Sequence, residues 1–597
     1  MVYIIAKLIS SLSRKQKINL FLIQILLIIM SFFEILSIYT IAPFMGYISG
    51  VLPIENSKYL QFLFTIFKTD KDNFIYLFGV TLLGIYLFSI LLGVLSQILS
   101  TRFGNKVGAQ ISYNMFINYI NKSPSFFLSN NSSEISSALF NDSARVNMIV
   151  IRMMLINISL FRASLIIIAL LFYNFQVTFV ITLTLSVVYL VIFILLKRQI
   201  GKQGEDLSKS QAHLMKLINE GFGSFRDLAI NKKHHIFSKF FYISRYIVAK
   251  AKTRVEIYAS LPKYFVEGVG FVIVLSLIII LSHDKDTSFG NLIATLSIFG
   301  LSLIKLIPSF QNLYYNTADI KSSVYSFQKI QDEIHIKEKK FETRKTFVEK
   351  KNLNYLTFKK VSFKYQNNKH PAISLINEKI KLEGINIVVG KTGAGKSTFF
   401  NLALGLLDPS SGEIFVDDFN LFDEKNKNSW HKFVTYVPQS PFMLDSTIKQ
   451  NIAYEYENID ENKINHAIKQ AELEQLIKSL EKGLDTIVGE NGVKLSGGQI
   501  QRIAIARAIY SGAKVLFLDE ATNALDHSTE NLIWKKFQND KKGKCFFIIS
   551  HNLNTLKYAD NVILVENGGL NIINLKEISE LKKSEIIKNL LNNNFNF

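Results

Sequence analysis

Cysteine is almost absent from this sequence: Cys545 is the only one in 597 residues. That excludes an intrachain disulfide framework, a cysteine-ligated zinc site and an amino-terminal cysteine peptidase. A small-residue cleavage site is missing too. The first apolar run is too long for a signal peptide and is expected to stay as a membrane span. Acidic residues are in deficit, 48 against 68 lysines and arginines, which leaves a formal charge of +20. No nucleic-acid recognition motif accompanies that surplus, so no nucleic-acid partner is expected. The basic residues gather instead in particular segments between apolar runs.

What the sequence has in quantity is apolar length. Crossing the hydrocarbon core takes about 20 apolar helical residues. Six stretches qualify, at 18–46, 74–99, 148–173, 176–196, 259–282 and 289–312. The third and fourth are parted by little more than Tyr173, Asn174 and Phe175, which predicts a tight helical hairpin. The connections at 100–147 and 197–258 are long, polar and helical in pattern. Arg14, Lys15 and Lys17 precede the first span, and Lys197, Arg198, Lys202, Lys209 and Lys216 lie in the second long connection. Positive charge on the inner side then places the amino terminus and both long connections in the cytosol. Between the first two spans, Tyr59, Phe62, Leu63, Ile66 and Phe67 recur at helical spacing. This predicts a short amphipathic helix over 57–68 on the outer face.

The second half changes character. A charged linker over 333–355 leads to alternating strands, helices and glycine-containing turns. The strand-like run Ile385–Val389 is followed by Gly390-Lys391-Thr392-Gly393-Ala394-Gly395-Lys396-Ser397-Thr398, a phosphate-binding loop. Its glycines let backbone N–H groups curl around phosphates at a helix start. Lys396 is placed for the β/γ oxygens, and Ser397 for Mg2+. Further on, Leu495-Ser496-Gly497-Gly498-Gln499 opens a helix, and the apolar strand Val515–Leu518 delivers Asp519 and Glu520 at its end. Two carboxylates at the carboxyl end of a strand suit a metal ligand, Asp519, and a general base that polarises water, Glu520.

These motifs together resemble the ABC transporters of the exporter type, over nearly the whole chain. The fold class implied is an α-helical six-span transmembrane domain of that type, followed by an α/β P-loop nucleotide-binding domain. The expected divisions are 1–332, the linker 333–355, the nucleotide domain 356–580 and a tail 581–597. The resemblance implies that Tyr365 stacks on adenine and that Gln439 touches Mg2+. It also implies that His551 contacts the γ-phosphate and that Asp526 sits in the loop crossing to the opposite subunit. ATP would be bound by Tyr365, Gly390, Thr392, Gly393, Gly395, Lys396, Ser397, Thr398 and Gln439. Ser496, Gly498 and Gln499 would close on ATP held by a partner. Lys396, Glu520 and His551 are the expected catalytic residues, and ATP with Mg2+ the expected cofactors. Segments 123–132 and 221–227 resemble coupling helices. Two departures stand out: Asn523 replaces a serine common before Ala524-Leu525-Asp526, and Asn552 replaces an arginine that often follows the histidine. One set of spans and one nucleotide domain make half a transporter. With every hydrolytic motif intact, a homodimer in the bacterial cytoplasmic (inner) membrane is expected.

Cargo is less legible. A charged side chain within a span costs roughly 2.5–3.5 kcal/mol at the helix centre, so each one is a functional candidate. Glu34, Arg162, Lys305 and Glu267 qualify. Glu267 has Lys263 one turn away as a partner. Lys305 reads either as a lysine snorkelling to the inner headgroups or, with Arg162, as the receiver of an anionic head group. The 56–60 stretch, Tyr264–Phe271 and Leu303–Ser309 resemble the PglK-type flippases of bacterial N-glycosylation. That resemblance implies a polyprenyl-pyrophosphate-linked oligosaccharide as the membrane-lipid cargo. Exporters of lipid A, peptides or hydrophobic drugs, or an ATP-gated channel, use similar machinery.

Overall fold

The computed structural model describes residues 2–48, 54, 58–68, 70–283, 289–334, 353–365, 368, 370–423, 427, 429–550 and 552–575. The expected linker falls outside them over 335–352, the tail entirely, and so does His551. The chain forms two compact units, Met1–Lys122 with Phe126–Lys340, and Ser123–Ser125 with Phe341–Phe597.

The first unit is helical: α1 (Val2–Ser11), α2 (Arg14–Ile48), α3 (Lys58–Phe67), α4 (Lys71–Ile120), α5 (Pro124–Ser129), α6 (Ser132–Ser137), α7 (Ser143–Tyr173), α8 (Phe175–Gly223), α9 (Phe225–Ile230), α10 (His234–Ser260), α11 (Pro262–His283) and α12 (Phe289–Ile334). Inside lipid every backbone N–H and C=O needs an internal partner, which is why the membrane-length stretches among the described residues are helices. Among the described residues, five helical stretches are long and apolar enough to cross a membrane, those starting at Arg14, Asn73, Ser132, Phe175 and His234. The sixth expected span lies in α12, where several side chains near the start are outside the described set. The 49 residues of α8 amount to about 73 Å of helix, far beyond the ~30 Å hydrocarbon core. The long polar connections are therefore continuations of the spans rather than separate loops. The predicted hairpin is a single residue wide: the Asn174 side chain accepts from the Val177 N–H at 3.1 Å and caps α8.

The amphipathic helix appears as α3. It buries Leu60 and turns Phe64 and Phe67 onto Phe74 of α4, leaving Phe62 and Ile66 exposed. Of the segments expected as coupling helices, 123–132 contains α5, and 221–227 covers the end of α8 and the start of α9.

A polar knot joins α8 and α12 to a π-helical turn, Ala138–Asp142, just before α7. Asp142 is fully buried. It accepts from Ser208 at 2.7 Å and Ser326 at 2.6 Å, and pairs with Lys329 at 2.9 Å. Arg145 donates to the Gly204 carbonyl at 3.1 Å, and Arg152 pairs with Asp319 at 2.7 Å. None of these residues stood out in the sequence, because their partners lie 59 to 187 positions away.

Among its described residues the second unit holds two sheets. Strands β1 (Tyr355–Phe363), β2 (Ile373–Ile376), β3 (Lys379–Lys381), β5 (Ser411–Val416) and β6 (Phe419–Asn420) form an antiparallel sheet in the order β2-β1-β5-β6, with β3 also on β1. The other sheet contains β4 (Gly384–Val389), β7 (Val434–Val437), β8 (Val515–Asp519), β9 (Cys545–Ile549), β10 (Asn561–Glu566) and β11 (Gly569–Asn574). Its order is β11-β10-β4-β9-β8-β7, parallel apart from β11. Strands β4, β8 and β9 are buried at every residue, which explains their unbroken apolar runs. The lone cysteine opens β9; burial pushes its thiol far above the ordinary range and leaves it inert.

Candidate nucleotide site

Register brings the two sequence motifs together. Val388 of β4 and Asp519 of β8 both pair with Ile549 of the intervening strand. The phosphate loop and the two carboxylates therefore leave the same edge of the sheet, two strand spacings apart, about 10 Å.

The loop turns from β4 into the helix α13 (Lys396–Ala403). Gly395 has φ +107°, and a Cβ there would stand 2.6 Å from the Ala372 carbonyl oxygen, so only glycine fits. Lys396 folds back over the loop, donating from Nζ to the carbonyls of Gly390 at 2.6 Å and Lys391 at 3.2 Å. Burial lowers its pKa, and the negative charges of Glu520 and Asp519 offset part of that. An arriving phosphate thus meets an ammonium already stripped of much of its water. Tyr365 packs edge-on to Phe363 with ring centres 4.9 Å apart, and its hydroxyl lies 3.3 Å from that of Thr398 in the first turn of α13.

Asp519 is buried, and burial raises its carboxyl pKa above the usual value. Tyr436, on β7, counters this by donating to Oδ2 at 3.2 Å; Ser397 and Lys396 pull the same way, while Glu520 adds to the rise. Tyr436 belongs to no motif in the sequence, although it lies three residues before Gln439, on the strand beside β8. Removing its hydroxyl should raise the pKa of Asp519 further. More of the carboxyl is then protonated as the pH falls, so the acid limb of ATP hydrolysis in Tyr436→Phe should shift to higher pH. A pH–rate profile compared with wild type checks this; an unmoved acid limb contradicts it.

Glu520 follows in a left-handed conformation, φ +51°, uncommon for a residue with a side chain. Its Oε2 accepts from Gln439 Nε2 and from Asn523 Nδ2, both at 2.8 Å. The first departure from the family pattern therefore supplies a donor to the candidate base. Asn523→Ser, which keeps a short donor, should hold hydrolysis within about twofold. Asn523→Ala should lower it about three- to tenfold, in line with the net worth of one hydrogen bond, about 0.5–1.5 kcal/mol. Steady-state phosphate release measures both. The second departure, Asn552, donates to Glu530 Oε2 at 3.1 Å. Glu530 is a buried carboxylate that also accepts from Thr522 at 2.9 Å and from Trp534. It ties the loop after β8 to the segment after β9, a link no local motif encodes.

Ser496 and Gln499 form a reciprocal capping box that starts the helix Gly497–Tyr510. A Cβ on Gly498 would lie 2.8 Å from the Ala524 carbonyl oxygen, so this helix start packs on the loop after β8. Gln501 bridges the same loop, accepting from Ala524 N–H at 2.9 Å. Asp526 caps the helix His527–Asn539 through the Thr529 N–H at 2.9 Å. Hydrogen bonds from Ser528 and Thr529 hold its carboxyl well below the ordinary range.

The charged residues of the spans divide. Glu34, Arg162 and Lys305 meet, with Glu34 Oε2 2.8 Å from Arg162 Nε and Oε1 3.1 Å from Lys305 Nζ. Lys305 also lies 5.8 Å from the Tyr86 ring. It is thus an ion-paired lysine and not a lone snorkelling one. Glu267 is not part of that cluster. It pairs with Lys263 at 3.9 Å and accepts from Gln311 at 3.3 Å on a half-exposed face.

Membrane-length helices together with a P-loop sheet, two carboxylates beside the loop and a signature helix define a membrane-embedded nucleotide hydrolase. Residues 39–305 match the ABC transporter transmembrane region family, and residues 373–523 match the ABC transporter family. The chain belongs to the ABC transporters: it is an ATP-hydrolysing half-transporter of the exporter type. It is 40% identical to the ATP-dependent lipid A-core flippase of Pasteurella multocida over 36% of this chain and 37% of that protein. That match therefore spans little more than a third of the relative's length. With the ATP-dependent lipid A-core flippase of Cupriavidus pinatubonensis it shares 25% identity over 78% of both chains. The fold is similar to that of a bacterial Atm1-family ABC exporter with ATP bound, at a TM-score of 0.79, 20% identity and 97% and 98% coverage.

Proposed function

We propose that two copies of this chain form an ATP-driven flippase that carries a phosphorylated glycolipid from the cytosolic to the outer leaflet of the bacterial cytoplasmic membrane. The observation that supports the cargo class is the Glu34–Arg162–Lys305 cluster, in which two cations share one carboxylate within the apolar half. Its surplus positive charge suits a phosphate or pyrophosphate and has no use for a neutral drug. The finer reading, a polyprenyl-pyrophosphate-linked oligosaccharide, rests on the short stretches 56–60, 264–271 and 303–309. The names of the relatives favour lipid A as the second reading.

In the hydrolytic cycle Tyr365 packs on the adenine and Lys396 exchanges its loop carbonyls for the β/γ oxygens. The donor set of Ser397, Asp519 and Gln439 is oxygen-rich and hard, which fits Mg2+. Bound there, Mg2+ supplies charge neutralisation of the phosphates. Glu520 takes the proton of the attacking water, held in place by Gln439 and Asn523. His551 is assigned to the γ-phosphate, and Ser496, Gly498 and Gln499 to ATP on the second copy. That last assignment makes the homodimer a condition of hydrolysis.

The test is transport in proteoliposomes loaded with labelled undecaprenyl-pyrophosphate oligosaccharide or with lipid A. ATP-dependent movement of the first by wild type, and none by Glu520→Gln, is expected. Movement of lipid A alone would replace the cargo by lipid A. Movement of neither, with brisk hydrolysis, overturns the flippase reading.

A further inference from the structure

We infer that Glu34 is a resident counter-ion at the cargo site, which the cargo displaces, and that it sets a charge threshold for entry. The inference deepens the flippase reading and rests on it for the direction of transport, though not for binding.

Three helices supply the cluster: Glu34 from α2, Arg162 from α7 and Lys305 from α12. The carboxylate is the deepest member. Its side chain is 9% exposed, against 21% for Arg162 and 32% for Lys305. The cations therefore reach further out than the group that neutralises them, as a site open to a ligand from the exposed side requires. The Arg162 contact is also imperfect. Arg162 Nε and Glu34 Oε2 are 2.8 Å apart, yet both atoms are buried without an aligned hydrogen bond. Coulomb attraction holds this pair, and the geometric strength of a forked guanidinium–carboxylate bond is missing.

One carboxylate facing two cations gives a selective arrangement. With the site empty, Glu34 leaves the apolar half one uncompensated positive charge instead of two. A ligand must outbid it to bind. A phosphomonoester or pyrophosphate head carries about two negative charges and can serve both cations with several oxygens at once. An ordinary phosphodiester lipid carries one, no more than the carboxylate it would replace. The abundant phospholipids of the membrane are thereby held off, and scarce polyanionic lipids pass. The repulsion between Glu34 and a second anion supplies the rejection.

The experiment uses the full chain in nanodiscs of neutral lipid, titrated with undecaprenyl pyrophosphate or with phosphatidylglycerol, reading binding and stimulation of ATP hydrolysis. Wild type should prefer the pyrophosphate by at least about 100-fold. Glu34→Gln should bind phosphatidylglycerol at least about tenfold more tightly than wild type, shrinking that preference. Glu34→Asp, which keeps the charge, should retain it. Should Glu34→Gln fail to fold, Glu34→Gln with Arg162→Gln keeps the wild-type net charge, lacks the carboxylate and should show the same loss of preference. An unchanged preference in either carboxylate-free protein overturns the inference. If the preference collapses as expected while wild type flips neither glycolipid, the counter-ion role stands and the flippase reading falls. If flipping is observed with the preference unchanged, only the counter-ion role falls.

Discussion

Replacing Glu520 by glutamine should lower the rate of ATP hydrolysis by about 10²- to 10⁴-fold, the range typical for loss of a positioned general base. Nucleotide affinity should stay within about threefold of wild type. The two effects separate because the substitution is isosteric. Glutamine keeps an oxygen able to accept from Gln439 and Asn523, which both donate to Glu520 Oε2 at 2.8 Å. It cannot take a proton from water. The parts proposed to hold the phosphates lie elsewhere, in Lys396 and the glycines of the loop between β4 and α13. Phosphate release and titration with a fluorescent ATP analogue give the two numbers independently. A fall in hydrolysis of less than about tenfold would mean that another group polarises the water. The left-handed backbone at Glu520 and its hydrogen bond from N–H to Ile549 O at 3.1 Å fix where the carboxylate points.

The second large effect is structural. Asp142→Ala should destabilise the helical unit by about 3 kcal/mol, near the lower end for removing one partner of a buried ion pair. The two hydroxyls of Ser208 and Ser326 lose their charged acceptor, while Lys329, 29% exposed, can turn towards water and limits the loss. Lys329→Met should cost about 2 kcal/mol, because it leaves the buried Asp142 charge without its lysine while the carboxylate keeps both hydroxyl donors and the positive charge of Arg145 nearby. Thermal midpoints in detergent should therefore rank wild type above Lys329→Met above Asp142→Ala. An equal midpoint for Asp142→Ala would show that the π-helical turn is held by its apolar neighbours alone.

Which features could be read in advance follows from how far apart their parts lie in the chain. The phosphate loop is nine consecutive residues whose chemistry depends on glycine flexibility, one lysine and one hydroxyl, so it announces itself. The apolar strands of the nucleotide domain did so for a related reason: both faces of β4, β8 and β9 are covered, and alternation disappears. The hairpin was legible because little more than Tyr173, Asn174 and Phe175 parts two apolar runs; the structure adds that Asn174 caps the second helix. Tyr436 and Glu530 gave no comparable signal. A tyrosine on a strand and a glutamate on a helix are ordinary, and only sheet order and helix packing bring them to Asp519 and Asn552.

The sequence by itself determined the membrane-length helices, the nucleotide fold, the ATP-hydrolysing chemistry and the membership of the ABC transporters. Each of these rests on local patterns: runs of apolar residues, or motifs within one strand–loop–helix unit. Only the tertiary structure decided what Lys305 pairs with, because Glu34 is far away in sequence on the first long helix. It likewise decided that Arg162 joins the same carboxylate while Glu267 pairs elsewhere, and that Asp142 anchors three helical segments. In an apolar surrounding a charge must find its counter-charge wherever the fold brings one, and sequence spacing carries no record of that distance.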